Sequence, residues 1–329
     1  MIQTHYLLPE NWIKKLPALQ NVFWALEALI LRLLLWALRS MSVQHAYTVA
    51  VWFCQILEPL VPFTAKFKRN LTVAFPEKPP QEIEQLAISS CANIGRAIAD
   101  LVLAKRIWEE REQRIEFVIE DGIEALHTPG RPAVFVTAHV GAWQFASFVA
   151  AQYKLSMTSV YAPESNPFLH KLVNHLRSAL PCRFTLKKGC MRELMTTLKQ
   201  GNVVGFVPDL RLDGGALIPV FGVDAPCNTS PARMALHHGC ELLPIRAERL
   251  PDCRFRITVY RPIQADDANA SVDTQARQMT QKQLALFESW IRETPDQWMC
   301  VGRRWDSEVY SRPPRAMDGS GGLELLDGR

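Results

Sequence analysis

None of the eight cysteines (Cys54, Cys91, Cys182, Cys190, Cys227, Cys240, Cys253 and Cys300) forms a C-x-x-C pair, and no histidines cluster at zinc spacing. Scattered thiols of this kind read as reduced side chains of a cytosol-facing protein with no metal site. Strong charge is missing too: a formal net charge of +4 and a pI near 8.6 are too mild to argue for nucleic acid. No cleavable signal peptide is expected, because polar residues fill the start and no small-residue cleavage site follows an apolar core. Internal repeats are absent. So are G-x-S-x-G, the P-loop, G-x-G-x-x-G and H-E-x-x-H, which removes the local signatures of elbow hydrolases, nucleotide binders and zinc proteases. Finally, no stretch reaches the roughly 20 apolar, uncharged residues of a clean spanning helix.

What is present begins with a hydrophobic content of 48% over 329 residues, enough for one large domain or two small ones. Residues 1–66 stand apart. Asn21 to Leu38 is apolar except for Glu27 and Arg32, and a second apolar segment, Tyr47 to Phe63, carries Glu58 and two prolines. Both fall just short of a span and read as an interfacial or shallowly inserted anchor. Trp12, Trp24, Trp36 and Trp52 suit headgroup depth, and Lys14, Lys15, Arg32, Arg39, Lys66, Lys68 and Arg69 suit an anionic leaflet. Two ordinary core helices would give the same pattern.

From 67 to 312 the chain alternates. Pro79-Pro80 with Gln81, Glu82 and Glu84 starts a helix that runs to about Lys105. Short β-rich runs follow at Phe117–Ile119, Ala133–Thr137, Thr158–Tyr161 and Val203–Val207, with helical patterns between them. Further strands are expected at Leu217–Phe221, Leu242–Glu248 and Phe255–Tyr260, partly antiparallel. Ser230-Pro231 opens a helix that Gly239 stops, and a long helix spans about Val272 to Arg292. This pattern predicts an α/β fold with a mainly parallel central sheet flanked by helices and an N-terminal helical membrane anchor. Residues 313–329 read as a disordered tail.

The chain is organised around Ala133 to Phe148. A buried strand ends there at His139, and after Gly141 the pattern turns helical with Trp143, Phe145 and Phe148. Ligands of open α/β sheets sit beyond the carboxyl ends of strands. A following helix's positive end would favour neutral imidazole, which can accept a proton as a general base. Asp209 likewise ends an apolar run, Val203 to Pro208, where a loop cap or a bridge to Arg211 is the structural alternative.

These pieces resemble, over nearly the whole chain, the lipid A late acyltransferases: lauroyl and myristoyl transferases with relatives that include mannoside acyltransferases of inositol phospholipids. His139-Val140-Gly141-Ala142-Trp143-Gln144 stands where that family has H-x4-D/E. Asn166-Pro167 with Arg177 resembles its next block, followed in order by Lys199-Gln200-Gly201, Val207-Pro208-Asp209 and Pro219-Val220-Phe221-Gly222. Lys68-Arg69-Asn70-Leu71, Ala74-Phe75-Pro76 and Arg303-Arg304-Trp305 flank them.

The resemblance implies a glycerolipid-acyltransferase-like fold and acyl transfer without cofactor or metal. The donor would be acyl-carrier protein or acyl-coenzyme A. The acceptor would be a hydroxyl of a membrane lipid, at the cytoplasmic face of a bacterial inner membrane. His139 would take the acceptor proton and the acid five residues on would hold the imidazolium. Here that residue is Gln144, whose amide carbonyl can accept the Nδ1–H but brings no charge. Four readings stay open: Asp209 or Glu164 substitutes, Gln144 suffices at a lower rate, an engineered Glu-to-Gln change traps substrate, or catalysis is lost and lipid or carrier binding remains. The expected substrate contacts are Gly141, Asn166, Arg177 (a phosphate or the thioester), Phe221 and Gly222 (a pocket wall or tight turn), and Lys188 in a basic cluster with Lys187, Arg192 and Lys199. Arg303-Arg304-Trp305 is expected to dock the C-terminus.

Overall fold

A computed structural model describes residues 19–58 and 63–311. Trp12, Lys14, Lys15 and the 313–329 tail lie outside the described residues. The described chain forms a seven-stranded sheet in the order β1-β9-β8-β2-β5-β3-β4, together with a separate two-stranded hairpin, β6-β7. The strands are β1 (Ile115–Ile119), β2 (Ala133–Val136), β3 (Met157–Tyr161), β4 (Arg183–Leu186), β5 (Val203–Phe206), β6 (Ala216–Val220), β7 (Val223–Cys227), β8 (Glu241–Leu250) and β9 (Arg254–Val259). From β8 to β4 every pairing is parallel. Only β8 against β9 is antiparallel within this sheet, and β1 then pairs β9 in parallel.

The continuous apolar runs of β2 and β5 follow from burial on both faces. Alternate side chains divide them between two cores. Val134 and Val136 join Val204, Phe206 and Leu242 on one face, while Ala133 and Phe135 join Val203, Leu243 and Ile245 on the other. Helices cover both. The first core takes α3 (Phe63–Ala74), the start of α4 (Pro80–Glu109), α7 (Met191–Lys199), α8 (Ser230–His238) and α9 (Val272–Glu293). The second takes α1 (Gln20–Ser40), α2 (Val43–Leu57), the rest of α4, α5 (Phe148–Gln152) and α6 (Pro167–Arg177). The position between residues 66 and 67 lies within α3.

α1 is held along the body at both ends. The Asn166 side chain donates to the Trp24 carbonyl at 3.0 Å and to the Glu27 carboxylate at 2.8 Å. At the other end the Arg106 guanidinium donates to the Arg39 and Met41 carbonyls. Leu35 and Leu38 face inward, while Val22, Leu26, Leu29, Leu33 and Trp36 are exposed at helical spacing, Trp36 to 73%. The Ser230 helix is capped one residue earlier than its sequence predicts: Thr229 is the N-cap residue, and Asn228 accepts the Ser230 N–H. Gly239, at φ +58, ends it.

Candidate active site

β2 and β5 lie in register, with Val136 opposite Phe206. His139 and Asp209 each follow three residues later, so the two side chains leave neighbouring strands at the same level. The Thr137 N–H bonds the Phe206 carbonyl at 3.1 Å and carries the pairing one step beyond the strands. The Asp209 carboxylate then grips His139 twice. One oxygen takes the His139 backbone N–H at 2.9 Å, and the other lies 2.6 Å from Nδ1. Asp209 is 5% exposed and the imidazole 21%. With a carboxylate on Nδ1, the neutral ring carries its proton there and presents a lone pair at Nε2.

Burial by itself would push the Asp209 carboxyl up. The facing imidazole, its hydrogen bond, the His139 N–H and then the Arg304 guanidinium outweigh that and hold it below the ordinary carboxylate range.

The rest of the loop is clamped from behind. The Met299 N–H donates to the His139 carbonyl at 2.7 Å, and Val140 bridges Trp298. The Ala142 N–H donates to the Ala247 carbonyl at 2.8 Å. Gly141 sits between these at φ +62, and a β-carbon there would overlap the Ala247 carbonyl oxygen. Both demands select glycine. Gly141 therefore shapes the loop that carries His139.

Gln144 stands apart from the imidazole. The chain after Gly141 runs as a 3-10 stretch, Trp143–Ser147, before the five-residue α5. At about three residues per turn, position 144 faces α4, where its amide donates to the Ala97 carbonyl at 3.3 Å. Its Oε1 is buried without a hydrogen-bond partner. The helical segment expected after Gly141 thus runs as a 3-10 stretch leading directly into a short α-helix. The neighbouring ring is Trp143, 5.4 Å from His139 between centroids.

Of the two carboxylates expected to replace an acid at 144, Glu164 is committed elsewhere. It lies 2.9 Å from Arg177 and 3.0 Å from His170 Nδ1. Arg177 also donates to Asn174 and covers the Tyr161 ring at 4.8 Å. It belongs to a network at the end of β3, two strands from His139. Asn166 is the N-cap of α6, accepting the Phe168 and Leu169 N–H groups, and ties that helix to α1.

Phe221 and Gly222, at φ +52 and +70, form the two-residue turn of the β6-β7 hairpin. The Phe221 ring packs on Phe75 and Trp298. Lys188 is exposed beyond β4, which lies three strands from β2 in the sheet. Asp209 does not bridge Arg211, which pairs with Asp213 and Asp306. Among the described residues no three His, Cys, Asp or Glu side chains converge as metal ligands would.

The Arg303-Arg304-Trp305 run docks the C-terminus as expected, but its reach to Asp209 has no sequence signal. Asn70 donates to the Cys300 and Gly302 carbonyls, and the buried Arg304 lies close enough to act on Asp209. Both halves of the clamp lie in runs the sequence singles out, Lys68-Arg69-Asn70-Leu71 and Arg303-Arg304-Trp305.

Comparison with known proteins identifies the family. The family model for bacterial lipid A biosynthesis acyltransferase matches residues 15–307. The lipid A biosynthesis lauroyltransferase of Escherichia coli K12 is 24% identical over 75% of this chain and 80% of its own. A lipid A biosynthesis acyltransferase of Haemophilus influenzae is 22% identical over 96% and 97%. Among solved structures, the 1-acyl-sn-glycerophosphate acyltransferase of Thermotoga maritima matches 70% of this chain and 95% of its own, at 15% identity and TM-score 0.34. The chain belongs to the bacterial lipid A biosynthesis acyltransferase family and is an acyltransferase acting on a lipid acceptor.

Proposed function

We propose that this acyltransferase moves a fatty acyl chain from a thioester donor to a hydroxyl of a membrane glycolipid or lipid A-like acceptor. His139 is the general base and Asp209 its orienting carboxylate. The observation that carries the reading is the 2.6 Å contact between Nδ1 and Asp209, made by a carboxylate that also holds the His139 backbone. Nε2 takes the proton of the acceptor hydroxyl as its oxygen bonds the thioester carbonyl carbon. The carbon–sulfur bond then breaks, and the imidazolium returns the proton to the leaving thiolate. Asp209 supplies the negative charge that the imidazolium needs, which is the task missing from Gln144. A catalytically silent binding homologue therefore has less support than an active enzyme.

The donor in this reading is acyl-carrier protein, with acyl-coenzyme A as the alternative. Exposed Lys187, Lys188 and Arg192 beyond β4 suit an acidic carrier. The membrane is reached through α1. Held on the body through Glu27 and Arg106, this helix lies along the protein and turns its outer stripe, Val22 to Trp36, to the cytoplasmic face of the inner membrane. In this reading Gly141, Phe221 and Gly222 set the backbone around the reacting centre, while Asn166 and Arg177 support it from the fold and Lys188 serves the carrier.

The test measures acyl transfer to lipid vesicles by mass spectrometry for the wild type, His139→Ala and Gln144→Glu, with glycolipid and lysophospholipid acceptors side by side. The wild type should add one acyl mass to the glycolipid and His139→Ala should not. Transfer by His139→Ala at the wild-type rate would end the assignment of the base, and transfer only to lysophospholipid would change the acceptor.

A further inference from the structure

We infer that Arg304 is a positioning residue of the reaction centre: its buried guanidinium is the fixed counter-charge behind the Asp209 carboxylate that faces His139. This rests on the reading of His139 as the base. Arg304 is 1% exposed, and among the described residues its guanidinium donates only to the Pro226 carbonyl at 3.3 Å and the Cys227 sulfur at 3.0 Å. Among the described residues no carboxylate lies within ion-pair distance of it. Burying an arginine with two neutral acceptors costs several kcal/mol unless a charge nearby offsets it. Asp209 is that charge. The two line one small cavity behind His139, closed by Phe221, Phe287 and Trp298.

The other ionisable groups around this cavity are already committed or neutral. Glu288 on α9 accepts the Phe221 N–H and pairs with Arg292. Arg69 on α3 lies over the Tyr310 ring, and Arg211 pairs with Asp213 and Asp306. Burial first, and then the charge of Asp209, push the Cys300 thiol up; burial likewise pushes up the Tyr310 phenol. Neither ionises in the working range, and Cys227 is a buried thiol touching the guanidinium itself. The balance at His139 is therefore set by Asp209 against Arg304. The backbone places Arg304 as firmly as the strands place Asp209: its N–H donates to Asn70 and Tyr310, and the Trp305 indole donates to the Val220 and Val223 carbonyls.

A positive charge behind Asp209 weakens the pull that the carboxylate exerts on a proton at His139. Without it the protonated ring persists to higher pH, and the acid limb of the kcat/KM profile moves the same way. The experiment records that limb for the full-length wild type, Arg304→Gln and Arg304→Lys in mixed lipid micelles, with folding checked by circular dichroism. Arg304→Gln should move the limb up by about half a pH unit or more, and Arg304→Lys should leave it in place whatever its amplitude.

A purely structural role lowers amplitude and leaves the limb where it is. A limb unmoved in Arg304→Gln, or moved equally in Arg304→Lys, overturns the inference. If Arg304→Gln does not fold, Cys227→Asp gives the guanidinium a carboxylate of its own. The same upward movement is then expected, and no movement again overturns the inference. A His139→Ala enzyme as fast as the wild type would instead remove the base on which the inference rests.

Discussion

Replacing Asp209 by Asn separates the shape of the orienting residue from its charge. The amide is nearly isosteric and keeps one oxygen, which can accept either the His139 N–H or the ring Nδ1–H but not both as the carboxylate does at 2.9 and 2.6 Å. The amide's NH2 then faces whichever donor is left, and the ring is driven toward the wrong tautomer. The corresponding loss in the serine-protease triad is about 10⁴ in kcat. A buried site with the same two-point grip places the loss here at about 10²–10⁴, or roughly 3–5 kcal/mol of barrier.

The structural cost is about 1–3 kcal/mol, from one buried donor left facing another. Its pH dependence has a fixed sign. The Asp209 carboxyl is held below its ordinary value in the fold, so its contribution is fully present above the unfolded value of about 4. It is lost as pH falls through the lower folded value. The difference in unfolding free energy between the wild type and Asp209→Asn should therefore shrink as pH falls below the ordinary carboxylate value, as read by urea denaturation at several acidic pH values. Initial rates of acyl transfer at saturating donor measure the catalytic part. A variant that keeps more than about a third of wild-type kcat would refute Asp209 as the orienting group.

Gln144→Glu should not restore anything: the new carboxylate would face the Ala97 carbonyl, so kcat should stay within about threefold while stability falls by about 1–3 kcal/mol, seen as a lower thermal midpoint. Gly141→Ala forces a β-carbon into the Ala247 carbonyl at a positive φ, which should cost at least about 2 kcal/mol and, by displacing His139, at least about 10² in kcat. Asn166→Ala removes both the cap of α6 and the tie to Glu27. It should lower stability by about 1–2 kcal/mol and reduce the fraction of protein that sediments with anionic vesicles, whereas unchanged sedimentation would detach the tie from membrane binding.

Much of this was legible in the sequence because the physics was local. β2 and β5 are apolar runs bounded by turn residues, and Pro80, Pro231 and Gly239 mark helix ends through their own backbone limits. β4 was not expected, because an edge strand with Arg183 and Leu186 exposed carries no alternation. β7 was missed for a different reason: Asp224 and Pro226 read as loop, yet a hairpin partnered only by β6 tolerates both. Arg304 docks the C-terminus, as its run predicts. Its charge acts on a residue 95 positions earlier, and no window of sequence contains both.

Position 144 shows how spacing along the chain and spacing in the fold can part company. Counting five residues from His139 assumes that the loop turns back on the imidazole. With Gly141 at φ +62 and a 3-10 stretch after it, the count delivers Gln144 to α4 instead. Register between strands does not depend on such a count. Val136 and Phe206 are paired, the Thr137 N–H carries the pairing one step further, and the Asp209 carboxylate reaches the ring whatever stands at 144. An amide at 144 is then compatible with catalysis, because the charge needed for the imidazolium is carried by the adjacent strand.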